Sequence, residues 1–146
     1  IYLFLMVVLP IYLLGFTSWI IGFLTLSCFA GFVLSIVFQL AHTVEDTSFP
    51  ATVDNNQIEN EWAIHQVETT ANFATGNRVV SWLVGGLNFQ IEHHLFPKIS
   101  HVHYPAISKI IKKTCDEFNV KYIEYARTRD AIVSHVLHLK RMGAIG

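Results

Sequence analysis

The first 44 residues contain no Asp, Glu, Lys or Arg, and the first charge in the chain is Glu45. Soluble domains place a charged side chain at roughly one residue in four. A helix that crosses a bilayer needs about 20 predominantly apolar residues, and residues 18–42 supply that length without a charge. Residues 1–14 form a second apolar run, separated from the first by Gly15-Phe16-Thr17-Ser18, with Trp19 next. Gly and Ser suit a turn, and Trp suits the membrane–water interface. The pattern predicts a helical hairpin: the tail of one transmembrane helix, a short turn and one complete span. The competing reading, a buried helix pair in a soluble protein, is disfavoured by the absence of charge over so long a stretch.

The rest of the chain is a different material. Only 14% of all residues are charged and 52% are hydrophobic, yet all ten basic residues lie from Arg78 onward. Lys and Arg in loops mark the cytoplasmic side of a membrane protein, so the polar part is expected to face the cytosol. The net charge of −1 gives no nucleic-acid footprint. Cys28 and Cys115 fall one in each part and read as packing residues in a reducing compartment. The chain starts at Ile1, with no basic segment before the apolar run and no small-residue cleavage site after it. A secretory signal is therefore not expected, and the reading is of a chain whose N-terminal portion is missing.

Residues 45–60 read as a polar connection. A helix is expected from near Gln57 to about Thr70, carrying Ile58, Trp62, His65 and Val67. Residues 78–87 are apolar but too short to span a bilayer, which suits an interfacial or re-entrant segment. Ile107, Ile110, Ile111, Cys115 and Phe118 recur at helical spacing, with Lys109, Lys112 and Lys113 elsewhere on the surface. Asn119 is a helix stop, and Val120–Tyr125 is a short strand or an extended link. Ile132, Val133, Val136 and Leu137 mark a last amphipathic helix from about Thr128 to Met142.

Eight histidines are present. His93 and His94 are adjacent, and Gln90 lies three residues before the first. Helical residues three and four apart share a face, so these three side chains can converge. Imidazole is a common ligand for iron and other transition metals, and a Gln oxygen can coordinate or hold a metal-bound water. Gly85 and Gly86 allow close backbone packing just before this group, and Pro97 ends it. A bare His-His pair is more often a polar turn; the full run Asn88-Phe89-Gln90-Ile91-Glu92-His93-His94-Leu95-Phe96-Pro97 is far more specific. His42 closes the uncharged helix, a place where ionisable groups are costly and mark function; a histidine that only ends the span is the plainer alternative. His65, beside Trp62 and Gln66, reads first as a satisfied structural histidine. His101 and His103 read as surface or supporting groups. His135 and His138, three apart on the last helix, suit a solvated face better than a metal. Glu92 is placed to accept a hydrogen bond from a ligand histidine and so fix its tautomer.

The run Asn88–Pro97 resembles the third histidine box of the membrane fatty-acid desaturases. More narrowly, it is similar to the front-end acyl desaturases, in which the first His of that box is replaced by Gln. Thr69-Thr70-Ala71-Asn72 resembles the segment that precedes the box, and Trp82 and Gly86 stand where that family has a Trp and a Gly. Gln39-Leu40-Ala41-His42 resembles the end of the fourth transmembrane helix, which carries a further ligand histidine. The tail through Lys113 and Tyr122 is also similar, so the resemblance covers roughly residues 35–142.

The resemblance implies two iron ions as cofactor and dioxygen as co-substrate. His42, His93 and His94 would ligate iron, with Gln90 at the remaining position of the box, directly or through water. Thr69, Asn72, Glu92 and His65 would support the site. An acyl-CoA or acyl-lipid substrate, a cytochrome b5-like or ferredoxin electron donor and surrounding membrane lipid are the implied partners. The implied location is the bacterial inner membrane or the endoplasmic reticulum, with the catalytic side cytosolic. The family's two earlier histidine boxes do not occur in these 146 residues, so the chain alone is expected to be inactive. A related lipid hydroxylase or sphingolipid desaturase, or a non-catalytic membrane metal-binding protein, are the alternatives. The expected fold class is all-α: a membrane helical hairpin over 1–44 with its first helix truncated, a cytosolic or interfacial metal-site region over 45–103, and an amphipathic helical tail over 104–146.

Overall fold

A computed structural model describes residues 1–47, 52–53, 57–58 and 62–145. They form two compact units, Ile1–Ile36 and Val37–Gly146.

In the first unit the apolar run is helical almost throughout. A π-helical turn over Phe4–Val8 leads without a break into α1 (Leu9–Leu14), which carries Pro10. Gly15 follows with φ +78°, a conformation open to glycine and costly for other residues. α2 (Phe16–His42) begins at once. The Trp19 indole N–H donates to the Met6 carbonyl at 2.9 Å. An unbroken helix would hold these residues about 20 Å apart, so the chain bends back sharply at Gly15. The expected four-residue turn is thus one glycine, with Phe16, Thr17 and Ser18 already helical. α2 is the one helix among the described residues that is long and apolar enough to cross a membrane.

The second unit is mainly helical but carries two small sheets. β1 (Thr52–Val53) and β2 (Gln57–Ile58) pair antiparallel, with Thr52 opposite Ile58. The helix expected from Gln57 therefore starts later, as α3 (Trp62–Glu68). Residues 48–51, 54–56 and 59–61, which belong to the expected polar connection and the expected helix start, lie outside the described residues. The Thr69 hydroxyl donates to the His65 carbonyl at 2.7 Å and closes the end of α3.

The chain then extends into β3 (Ala71–Phe73), all of it buried. β3 pairs in parallel with β4 (Ile123–Tyr125), in the register Ala71–Ile123, Asn72–Glu124 and Phe73–Tyr125. This pair corrects the all-α expectation. The Val120–Tyr125 link is partly a strand, and its partner is a segment whose sequence carries no strand signal of its own. A parallel pair needs a long crossover, and that crossover carries the histidine box.

The crossover opens with α4 (Arg78–Leu83), capped by the Asn77 side chain, which accepts from the Val79 and Val80 N–H groups at 3.0 and 3.1 Å. Gly85 and Gly86 follow, both at positive φ. At Gly86 an added Cβ would sit 2.5 Å from the His101 Cβ, so the close packing expected of this pair is enforced there. α5 (Gln90–Leu95) comes next and ends before Pro97. A single 3-10 turn over His101–His103 leads into α6 (Tyr104–Glu117). Asn119 ends α6 as expected, at φ +55°, while the Val120 N–H donates to the Cys115 carbonyl at 2.8 Å; this is a Schellman closure with Asn in the left-handed position.

α7 (Thr128–Ile145) is the last element. It does not bury the face expected of it. Ile132, Val133, Val136 and Leu137 are exposed, and Ala131 and Ser134 are buried instead. Ala131 packs with Val37, Leu40 and Phe73. Ser134 Oγ accepts from the Glu45 N–H at 3.0 Å and lies 2.8 Å from the Tyr125 hydroxyl. Small side chains allow the close approach that these contacts need. His135 lies on the same side, with Nδ1 2.6 Å from the Thr43 carbonyl, so its expected solvated position is corrected to a half-buried one. In α6 the buried residues are Tyr104, Ile111 and Cys115, whereas Ile110 and Phe118 border an open apolar pocket.

Candidate metal centre

His42 is the last residue of α2, and His94 lies in α5. Their ring centroids are 4.9 Å apart. His93 and His94 have ring centroids 6.1 Å apart, with the ring planes at 81°. Each ring is held by protein. His94 Nδ1 is 2.7 Å from Gln66 Oε1, and His93 Nδ1 is 3.2 Å from the Tyr104 hydroxyl. The His42 ring hydrogen-bonds to the backbone of Thr69. A ring held at one nitrogen offers the other to a ligand. Burial, and then the neighbouring His42 and His93, push the His94 imidazole down to about 4, so it is neutral at pH 7 and carries a lone pair.

Gln90 is fully buried. Neither its amide nitrogen nor its amide oxygen has a hydrogen-bond partner among the described residues. A buried polar group left unpaired costs about 1–3 kcal/mol, and this amide has both donor and acceptor capacity to spare for a ligand or water. Among the described residues, no group of three or more His, Cys, Asp or Glu side chains is arranged to hold a metal ion. The donors suit iron in chemistry, as imidazoles and an amide oxygen. In number they make up a share of a site.

A polar network locks α5 from below. Asn72, on β3, accepts from the Ile91 N–H through Oδ1 at 3.0 Å and donates from Nδ2 to Glu92 Oε2 at 2.7 Å. The Tyr122 hydroxyl donates to Glu92 Oε1 at 2.9 Å, lies 2.7 Å from Asn72 Nδ2 and lies 2.9 Å from Ser108 Oγ. Burial pushes the Glu92 carboxyl up, and hydrogen bonds from Asn72 and Tyr122 oppose the shift. Burial, and then the Glu92 charge, push the Tyr122 hydroxyl well above its ordinary value. The described donors to the Glu92 carboxylate are thus Asn72 and Tyr122, and no described contact brings it a histidine N–H. Successive helix residues diverge by about 100°, so Glu92 faces away from the side that His93 and His94 present.

The other supporting residues take clear places. Thr69 touches His42 through its backbone and caps α3 through its hydroxyl. Asn72 acts on α5 and reaches no histidine in the described contacts. His65 Nδ1 is buried without a hydrogen-bond partner among the described residues. His101 and His103 are exposed. Gln66, Tyr104 and Ser108 join the site with no motif to mark them. Gln66 was visible only as the neighbour of His65, and nothing in a helical period says which residue of α3 meets α5.

The fatty acid desaturase family model matches residues 1–126. The chain is similar to the sn-1 linoleoyl-lipid 6-desaturase of Synechocystis sp., at 47% identity over 77% of this chain and 32% of the relative. It is similar to the acyl-lipid (8-3)-desaturase of Physcomitrium patens, at 46% identity over 77% of this chain and 23% of the relative. The Delta(5) fatty acid desaturase A of Dictyostelium discoideum is 37% identical over 93% of this chain and 30% of its own length. The chain thus spans a third or less of the length of these relatives. No solved structure matches. Matched by the family model over most of its length, and similar to front-end acyl-lipid desaturases, the chain belongs to the fatty acid desaturase family.

Proposed function

We propose that the complete protein is a membrane-embedded front-end acyl desaturase, and that this chain supplies part of its di-iron centre. The observation that carries this reading is the meeting of His42, at the end of the apolar helix α2, with His94 of the histidine box, at 4.9 Å between ring centroids. In this reading α1 and α2 form a hairpin in the bilayer, because a helix that is apolar all round needs apolar surroundings. The second unit faces the cytosol. His42, His93 and His94 hold iron, with Gln90 contributing directly or through water, and the remaining ligands come from elsewhere in the complete protein.

The reaction removes two hydrogens from adjacent methylenes of an acyl chain, whose C–H bonds carry no activating group. Iron, when bound, supplies the activation of dioxygen that such bonds require. The chain's own residues do the positioning. Gln66 and Tyr104 hold the rings of His94 and His93, and Asn72, Glu92 and Tyr122 hold the helix that carries them. Gln90 is fully buried, which keeps bulk water from its part of the centre. His42 ends the lipid-facing helix, so an acyl chain reaches the site from the bilayer. The substrate is acyl-lipid or acyl-CoA. Electrons arrive from a cytochrome b5-like or ferredoxin donor, docked on the lysine-bearing cytosolic face.

The test is His93→Ala and His94→Ala in the complete protein, with iron content and lipid products measured together. Both variants are expected to lose iron and the new double bond. Wild-type iron and alkene levels in both would refute the ligand assignment, and a hydroxylated product without alkene in the wild type would mark a lipid hydroxylase instead.

A further inference from the structure

Gln66 lies on α3, outside the histidine box and outside the helix that carries His42. Its Oε1 is 2.7 Å from His94 Nδ1. The contact rests on a rigid base, because its neighbour Val67 packs with Ile91 of α5 and with Ile111 and Cys115 of α6 in one buried cluster. α3 and α5 therefore cannot slide past each other without opening that core. A neutral imidazole carries one N–H and one lone pair. An amide oxygen accepts but cannot donate, so it selects the tautomer with the proton on Nδ1 and leaves the lone pair on Nε2. The opposite amide orientation would donate to Nδ1, place the proton on Nε2 and remove the lone pair a metal needs.

We infer that Gln66 is the positioning residue for His94: its amide oxygen fixes the Nδ1–H tautomer and the ring angle, and so presents Nε2 to the metal. The inference rests on the reading of His94 as an iron ligand. Partners of this kind are worth about 10–100-fold in metal affinity where they have been removed from other metal sites.

The experiment uses the complete, metal-free protein titrated with cobalt(II), whose visible absorption reports ligand number and geometry. Gln66→Met keeps the length of the side chain and removes the acceptor. Gln66→Glu keeps an acceptor and has no donor when ionised. Gln66→Met is expected to weaken cobalt binding by about 10–100-fold and to alter the absorption bands, while Gln66→Glu restores affinity to within a few-fold of wild type together with the wild-type bands. A role only in holding α3 would weaken both variants alike, and that result overturns the inference, as does a Gln66→Met protein with wild-type affinity and bands. His94→Ala run in parallel separates the two levels. Lost cobalt in His94→Ala with none lost in Gln66→Met removes the Gln66 role alone; full cobalt binding in His94→Ala removes the ligand assignment and this inference with it.

Discussion

The imidazoles of His42 and His94 sit with ring centroids 4.9 Å apart and ring planes inclined at 54°. One closes the apolar helix, and the other belongs to a six-residue helix in the crossover between β3 and β4. Among the contacts that hold the second of these elements against the rest of its unit are three hydrogen bonds that reach neither ring: Asn72 on the Ile91 N–H, Asn72 on Glu92, and Tyr122 on Glu92. The geometry of the pair therefore depends on residues that touch neither ring.

Asn72 is the most consequential of these. Asn72→Leu deletes the acceptor for a buried backbone N–H and a donor to a buried carboxyl at once. Each orphaned partner costs about 1–3 kcal/mol, so the variant is expected to lose about 2–6 kcal/mol of stability. Thermal or denaturant unfolding of the complete protein checks this, and a loss below about 1 kcal/mol would show that Asn72 does not anchor α5.

Gly86 and Gly85 separate two effects of glycine. Both sit at positive φ, but only Gly86 has a neighbour in the way, the His101 Cβ at 2.5 Å from an added methyl. Gly85→Ala is expected to cost about 1–2 kcal/mol from left-handed backbone strain alone. Gly86→Ala adds the clash and is expected to cost at least about 1 kcal/mol more. Equal melting temperatures for the two variants would contradict the close approach.

Acid should act through Glu124. Burial alone would raise its carboxyl, but hydrogen bonds from Lys112 and Thr75, with the Lys112 charge, outweigh burial and hold it below its ordinary value. A depressed folded-state pKa gives stability that is complete above the unfolded value, about 4.3, and is lost as pH falls through the lower folded value. Unfolding measured between pH 6 and pH 3 should therefore show a decline below about pH 4.3 that is shallower in Glu124→Gln. Parallel curves for the two proteins would mean that the Lys112 pair contributes nothing.

His135 makes a structural contact. Its Nδ1 lies 2.6 Å from the Thr43 carbonyl, just past the end of α2. His135→Ala is expected to lower stability by about 1 kcal/mol with metal content unchanged. Loss of iron in this variant would place His135 in the metal centre instead.

Much of the local structure was legible in the residues themselves. The uncharged run is helical, the residues Gln90, His93 and His94 share one helix, Asn119 stops α6, and α7 begins at Thr128. What was not legible is which surface each helix buries. Ile132, Val133, Val136 and Leu137 carry the apolar signal of α7, yet Ala131 and Ser134 face the core. Hydropathy ranks the gain from burying a side chain; it does not know whether the neighbour at that height has room for an isoleucine or only for an alanine.

The sequence by itself determined the division of the chain into an uncharged helical part and a polar part, and the helix on which the box residues sit. Charge density and helical period are local quantities, and no tertiary contact was needed to read them. Only the tertiary structure decided that Asn72 and Glu124 lie on adjoining strands, that Glu92 turns to Asn72 and Tyr122, and that Gln66 meets His94. Those contacts join residues far apart along the chain, and their partners are set by how α3, α5 and α6 fill one core cluster while the β3–β4 pair packs in others, which no local pattern encodes.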